Sequence, residues 1–166
     1  LVDGVQTAGS SLTFLVTAVD HLGNTQTREI NNIRVYGTPV ISYDTGKLAI
    51  SVTDVINDRL FKATAKDSFD APIDVSVELE NGTIAGGNVV TFRLSAVDAL
   101  GNMCSVVTDR IKVYSADDIE LVYNKAASTR IRKISHGEEF EAVATNSFGE
   151  ACAISIVAAD GYVLEG

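Results

Sequence analysis

Side-chain oxygens gathered in short loops are the first chemistry this chain offers. Asp20 with Asn24, Asp98 with Asn102, and Asp67 with Asp70 each place two such groups within a few residues. Hard oxygens in that arrangement suit calcium. Calcium takes about six to eight of them, so one loop supplies a minority of the set. The remainder must come from a neighbouring loop, and Asp117 and Asp118 are the carboxylates placed for it. A second reading of the same residues needs no ion. There Asp caps its own turn by accepting backbone N–H groups, and Asn takes the left-handed position. No EF-hand loop occurs.

Nucleophilic and acid–base chemistry find less support. The two histidines, His21 and His136, fall in turns, and Ala99 holds the place of His21 in a second copy of its surroundings. No Gly-x-Ser-x-Gly, Gly-x-Gly-x-x-Gly or P-loop is present. The sequence is read as non-catalytic, with no cofactor beyond the calcium alternative. Cys104 lies six residues after Asp98 and Cys152 six after Asn146, so each follows its own turn. Free thiols, a disulfide and a reactive thiol are the readings for them. A net charge of −9 argues against nucleic acid and anionic membrane surfaces as partners. No apolar run reaches the length of a membrane span.

The elements that hold these loops repeat. Thr17-Ala18-Val19-Asp20-His21-Leu22-Gly23-Asn24 returns, displaced by 78 residues, as Ser95-Ala96-Val97-Asp98-Ala99-Leu100-Gly101-Asn102. Ile33-Arg34-Val35-Tyr36 returns as Ile111-Lys112-Val113-Tyr114. Phe61 through Phe69 returns as Phe140 through Phe148, displaced by 79. All six Phe fall into the pairs Phe14/Phe92, Phe61/Phe140 and Phe69/Phe148. A residue that recurs in each copy serves the fold of the copy before it serves a unique site.

Strands dominate. Residues 12–19 and 89–97 are β-branched, aromatic and alternating, and residues 74–80 alternate strictly, with Val75, Val77 and Leu79 expected toward a core. Turn dipeptides such as Asn81-Gly82, Asp160-Gly161 and Asp3-Gly4 punctuate them at equivalent points of the repeat. This is an all-β chain with the strand and turn spacing of Greek-key β-sandwiches.

At the Ala-Val-Asp-x-Leu-Gly-Asn motifs the sequence resembles bacterial surface-protein immunoglobulin-like repeats of the hyalin-repeat (HYR) type and related bacterial Ig-like domains. Pro39-Val40-Ile41-Ser42 resembles their opening strand and Ala65-Lys66-Asp67-Ser68-Phe69-Asp70 their middle motif. Phe92 through Asn102 resembles the closing hairpin. The resemblance implies tandem Ig-like sandwiches in an elongated array. In that frame residues 38–115 form one complete repeat, 1–37 the second half of a preceding one, and 116–166 the first half of a following one. The Asp-Gly turns support an alternative phasing, 1–81 and 82–166. A third option is that the incomplete halves of separate chains complete one another. In the last copy Asn146 and Gly149-Glu150 replace the family's Asp-x-x-Asp ending.

The function these readings imply is structural or adhesive. It is a stalk or spacer of a secreted or cell-surface bacterial protein, extracellular, with neighbouring Ig-like domains as its first partners. The sequence has no initiator Met and no signal or anchor segment, and it reads as an excerpt. Host or cell-wall proteins or glycans are the external partners considered. Two rival classes stand beside it: a glycan-binding accessory module of a polysaccharide-degrading enzyme, and a self-assembling filament subunit. Tyr36 and Tyr114 are repeat equivalents expected to pack a domain junction, whereas Tyr162 has no aromatic counterpart and is the Tyr open to a ligand. Lys125, Arg130, Arg132 and Lys133 are special to the last copy and read as a solvated strand face or a docking patch for an acidic partner. Asn81-Gly82-Thr83 matches a glycosylation sequon and also makes a turn.

Overall fold

The computed structural model describes residues 3–124 and 141–156. His136, Tyr162, the Asp160-Gly161 turn, and the basic group Lys125, Arg130, Arg132 and Lys133 lie outside the described residues. The described residues form strands and one short 3-10 helix, with no α-helix among them. The chain is all-β, and it divides into two compact units.

The first unit takes residues 1–48, 54–81 and 91–110. Within it β1 (Ser11–Val19) and β2 (Thr25–Arg34) form an antiparallel hairpin. A three-stranded antiparallel sheet joins β3 (Val40–Ser42), β5 (Thr64–Lys66) and β6 (Pro72–Ile73). β8 (Val89–Val97), which enters this unit at Thr91, is flanked by β7 (Ser76–Asn81) and β9 (Met103–Val107), both antiparallel to it. The alternation of β8 produces the core directly: Phe92, Leu94 and Ala96 are buried, and Thr91, Arg93 and Ser95 sit on its other side, half-covered. Phe61 closes over Phe92 with ring centroids 5.2 Å apart and the rings tilted by 53°, and Ala63 and Ala65 are buried in the same unit.

The second unit takes residues 49–53, 82–90 and 111–166. Here β4 (Ala49–Ser51) runs parallel to β10 (Ile111–Tyr114), and β10 is antiparallel to the first two residues of β8. Ile50, Val90, Ile111 and Val113 form its buried apolar set. The 3-10 turn Ala116–Asp118 follows, capped by Ser115 and Asp118. β11 (Glu120–Val122) then pairs antiparallel with β12 (Val143–Thr145).

Cross-strand register shows the repeat as geometry. Leu12 pairs with Ile33, Val16 with Arg28 and Val19 with Thr25. Displaced by 78 residues, Val90 pairs with Ile111, Leu94 with Val106 and Val97 with Met103. One expectation is corrected. In the strand 74–80, Val75 and Val77 are half-buried but Leu79 is exposed. It lies at the bulge where β7 loses register with β8, and alternation along a strand ends where the register shifts.

Candidate functional site

Four five-residue turns share one construction. Asp20 Oδ1 accepts from the N–H groups of Leu22 at 2.8 Å and Asn24 at 2.9 Å, and Asp98 Oδ1 accepts from Leu100 and Asn102, each at 2.9 Å. Asp67 Oδ1 does the same for Phe69 at 2.7 Å and Ala71 at 2.9 Å. Asn146 Oδ1 does it for Phe148 and Glu150, both at 3.0 Å. Asn replaces Asp in the last copy without loss of the turn, because one carbonyl oxygen suffices.

The calcium candidates are thereby placed. Asp20 and Asp98 spend Oδ1 on backbone donors and Oδ2 on the Asn24 and Asn102 amides, at 2.6 and 2.8 Å. The Asn24 and Asn102 amides hold the Asp20 and Asp98 carboxyls below the usual carboxylate range. Asp70 meets Lys66 Nζ at 3.3 Å. Among the described residues no three His, Cys, Asp or Glu side chains converge. The left-handed position is taken by Gly23, Gly101, Gly149 and Asp70, with φ of 87°, 87°, 73° and 61°. The expectation that Asn24 and Asn102 occupy it is corrected: the preceding glycine does so at no steric cost. His21 is exposed in its turn. Cys104 and Cys152 are half-buried free thiols.

The third residue of these turns separates them into two kinds. Leu22 and Leu100 are exposed. Phe69 and Phe148 instead sit under an aromatic ring and a cation. Tyr36 meets Phe69 with centroids 5.1 Å apart at 62°, and Tyr114 meets Phe148 at 5.1 Å and 59°. The Arg34 guanidinium lies 4.9 Å from the Phe69 centroid, and Lys112 Nζ lies 4.9 Å from that of Phe148. Each ring thus has its edge-on or tilted aromatic partner and a cation on its π-face. The first contact lies wholly in the first unit and the second wholly in the second unit.

Backbone approach recurs with the rings. Gly9 and Gly87 both have positive φ, 81° and 76°. A Cβ on Gly9 would stand 2.8 Å from the Ser68 carbonyl oxygen, and one on Gly87 would stand 2.9 Å from Ser147 Oγ. Gly9 N–H donates to Val35 at 2.9 Å, and Gly87 N–H to Val113 at 3.0 Å. Gly37 N–H donates to Ser68 Oγ at 2.9 Å in the first contact alone.

Electrostatics set the second contact apart. Glu150 accepts from Lys112 Nζ at 2.6 Å, Tyr114 Oη at 2.8 Å and Asn146 Nδ2 at 2.9 Å. Lys112, then Asn146 and Tyr114, hold its carboxyl down at about 2. The same carboxylate pushes the Tyr114 phenol and the Lys112 ammonium up. Ala71 occupies the equivalent place in the first contact. Tyr36 and Tyr114 were readable as packed residues because they recur, and each meets the Phe of its own contact. Arg34 and Lys112 recur as basic residues two positions earlier, a signal of the same kind. Glu150 carried no such signal, since its equivalent is Ala.

What this arrangement offers is a fixed, specific contact. No family model matches the chain, and no curated protein or solved structure matches it either.

Proposed function

We propose that the chain is a non-catalytic structural segment, in which tandem Ig-like β-sandwich modules act as a stalk or spacer of a secreted or cell-surface bacterial protein. The observation that carries this reading is the duplicated ring contact. Tyr36 on Phe69 and Tyr114 on Phe148 have the same centroid distance, closely similar angles and a cation at the same distance. On this reading residues 38–115 are one module, and each contact is the junction between consecutive modules. A contact copied at a fixed step suits a joint that sets one orientation along an array. The pairing of β4 parallel to β10 supports the module boundary, because it ties an early strand to the last strand of the same repeat. A short linker locked by two rings and a cation is stiff where a Gly/Ser tether would be slack. The surface-protein setting rests on the resemblance of the motifs.

Backbone nitrogen-15 relaxation tests the joint. Residues 10–36 and residues 54–81 should report one rotational correlation time in the wild type. In a Tyr36→Ser variant the hairpin should gain independent nanosecond motion while residues 54–81 keep their order. A hairpin that tumbles with residues 54–81 in the variant as in the wild type removes the carrying observation. Saturable binding to a panel of soluble polysaccharides would move the reading to a glycan-binding module.

A further inference from the structure

We infer that the outer edge of β9 is a docking surface for the same strand of a second copy of this chain, the two strands antiparallel about a two-fold axis at Ser105. β9 lies wholly in the first unit, and among the described strands it pairs with β8 alone. Register shows which of its backbone groups β8 uses. Asp98 N–H donates to the Asn102 carbonyl at 3.0 Å, and Thr108 N–H to the Phe92 carbonyl at 2.9 Å. Bonded pairs alternate along an antiparallel ladder, so Cys104 and Val106 spend their N–H and C=O groups on Ala96 and Leu94. Met103, Ser105 and Val107 turn theirs to the opposite side. β3 borders β9, and its own bonds run to β5. Among the described residues no hydrogen bond reaches the outer side of β9.

This edge is complementary to itself. With two copies of β9 antiparallel and Ser105 opposite Ser105, Met103 of each stands opposite Val107 of the other. Every outward N–H then meets an outward carbonyl. Centring the pair on Cys104 instead sets Val107 against Gly101 in the turn, and centring it on Val106 sets Met103 against Asp109, past the end of the strand. Only the axis at Ser105 keeps the whole edge in one ladder. The side chains agree with it. Met103, Ser105 and Val107 share the exposed face of β9, Met103 at 64% and Val107 at 42% exposed. The pairing sets each Met103 beside a Val107 and the two Ser105 hydroxyls beside each other, cross-strand neighbours of the kind that stabilise a sheet.

Other edges of this chain are built against such pairing. Charge, proline and bulges are the usual devices. β7, on the other side of β8, has Glu78, Glu80 and a bulge between Leu79 and Asn81. β2 has Thr25, Arg28 and Glu29 at the places equivalent to Met103, Val106 and Val107. β9 carries no charge, no proline and no shift of register. Its exposed apolar residues depart from the repeat, so they do not serve the fold that both copies share. A surface that meets itself across a two-fold axis closes at a dimer. The inference stands apart from the stalk reading.

Light scattering and amide exchange on the full 166-residue chain test it, with reductant present so that Cys104 and Cys152 stay thiols. The mass should rise with concentration from 17.6 kDa to twice that value and level there. Exchange at the Met103, Ser105 and Val107 amides should slow in step, by about tenfold where about nine chains in ten are paired. Cys104 and Val106 are bonded to β8 in either state and should keep their rates. Val107→Glu installs at this exposed place the residue that β2 has, and should hold the chain at a single mass. Adding Met103→Lys to it should restore the dimer, weaker in high salt, because the two substitutions face each other across the axis. A wild type of one chain's mass at every concentration overturns the inference and leaves this edge to solvent. A dimer in which the three amides exchange as in the single chain overturns it and puts the contact on another surface. A mass that climbs past two chains, or a double variant that pairs no better than Val107→Glu alone, overturns it in favour of non-specific edge pairing.

Discussion

Tyr114 donates its phenolic hydrogen to Glu150 Oε2 at 2.8 Å, while its repeat equivalent Tyr36 has Ala71 in the place of that carboxylate. The two aromatic contacts agree in ring geometry and differ in what acid does to them. The Glu150 carboxyl is held at about 2, below its ordinary 4.5. A carboxyl depressed in the folded state adds stability above its unfolded value and loses it as pH falls through the folded one. The Tyr114–Phe148 contact should therefore loosen between pH 4.5 and about 2, and aromatic proton shifts of Phe148 would follow it. In a Glu150→Ala variant that transition should vanish, and the Tyr114 phenol should ionise at lower pH than in the wild type. An unchanged acid profile in the variant would falsify the role given to this carboxylate.

The ring contact itself predicts a graded effect. An edge-on aromatic pair is worth about 0.5–1.5 kcal/mol beyond the area it buries. Tyr36→Leu retains apolar area and removes the ring. The Gly37 amide, bonded to Ser68 Oγ at 2.9 Å, reports the opening of this contact by hydrogen exchange. Its exchange should quicken by about two- to tenfold, that energy expressed as a population. Protection equal to the wild type's would mean that the backbone approach at Gly9 holds the contact without the ring.

A buried backbone group supplies the third prediction. Phe92 N–H donates to Thr108 Oγ1 at 3.0 Å in a fully buried setting, and Thr108 N–H returns a bond to the Phe92 carbonyl at 2.9 Å. Thr108→Val keeps the shape and deletes the acceptor. An unsatisfied buried donor costs about 1–3 kcal/mol, so urea unfolding should shift by that much with its slope unchanged. The hairpin provides the contrast, because the exposed Ile30, which has no side-chain acceptor, occupies the equivalent place opposite Phe14. A variant as stable as the wild type would show that water reaches this amide.

Much of this molecule was legible in its sequence, for a physical reason. Strand alternation, Asx turns and the duplicated Tyr and Phe are local features, and each copy reports them again. The all-β class and the equivalence of Tyr36 and Tyr114 followed from that. What depends on a second layer did not follow. Residues 12–19 alternate as residues 89–97 do, yet Val16 is half exposed where its equivalent Leu94 is buried, because alternation says which residues share a face and not how far that face is covered. The Asp turns were likewise legible as turns or as oxygen ligands. Only the hydrogen bonds of Asp20 and Asp98 show both of their oxygens engaged. Glu150 was invisible because repetition was the signal, and it is a departure from the repeat.

The last prediction comes from backbone strain that the repeat preserves. Lys62 and Glu141 occupy equivalent positions with φ of 48° and 47°. A side chain in the left-handed region costs roughly 1–2 kcal/mol, and glycine relieves that while adding some entropy to the unfolded chain. The Lys62–Asp44 pair, 3.0 Å long with the lysine largely exposed, is worth at most about 1 kcal/mol, and typically less. Strain relief is the larger of the opposing terms. Lys62→Gly should then stabilise the chain by about 0.5 kcal/mol. Lys62→Met, which loses the pair and keeps the strain, should destabilise it slightly. Thermal unfolding of the two variants separates the terms. If both lower the midpoint equally, the ion pair outweighs the backbone at this position.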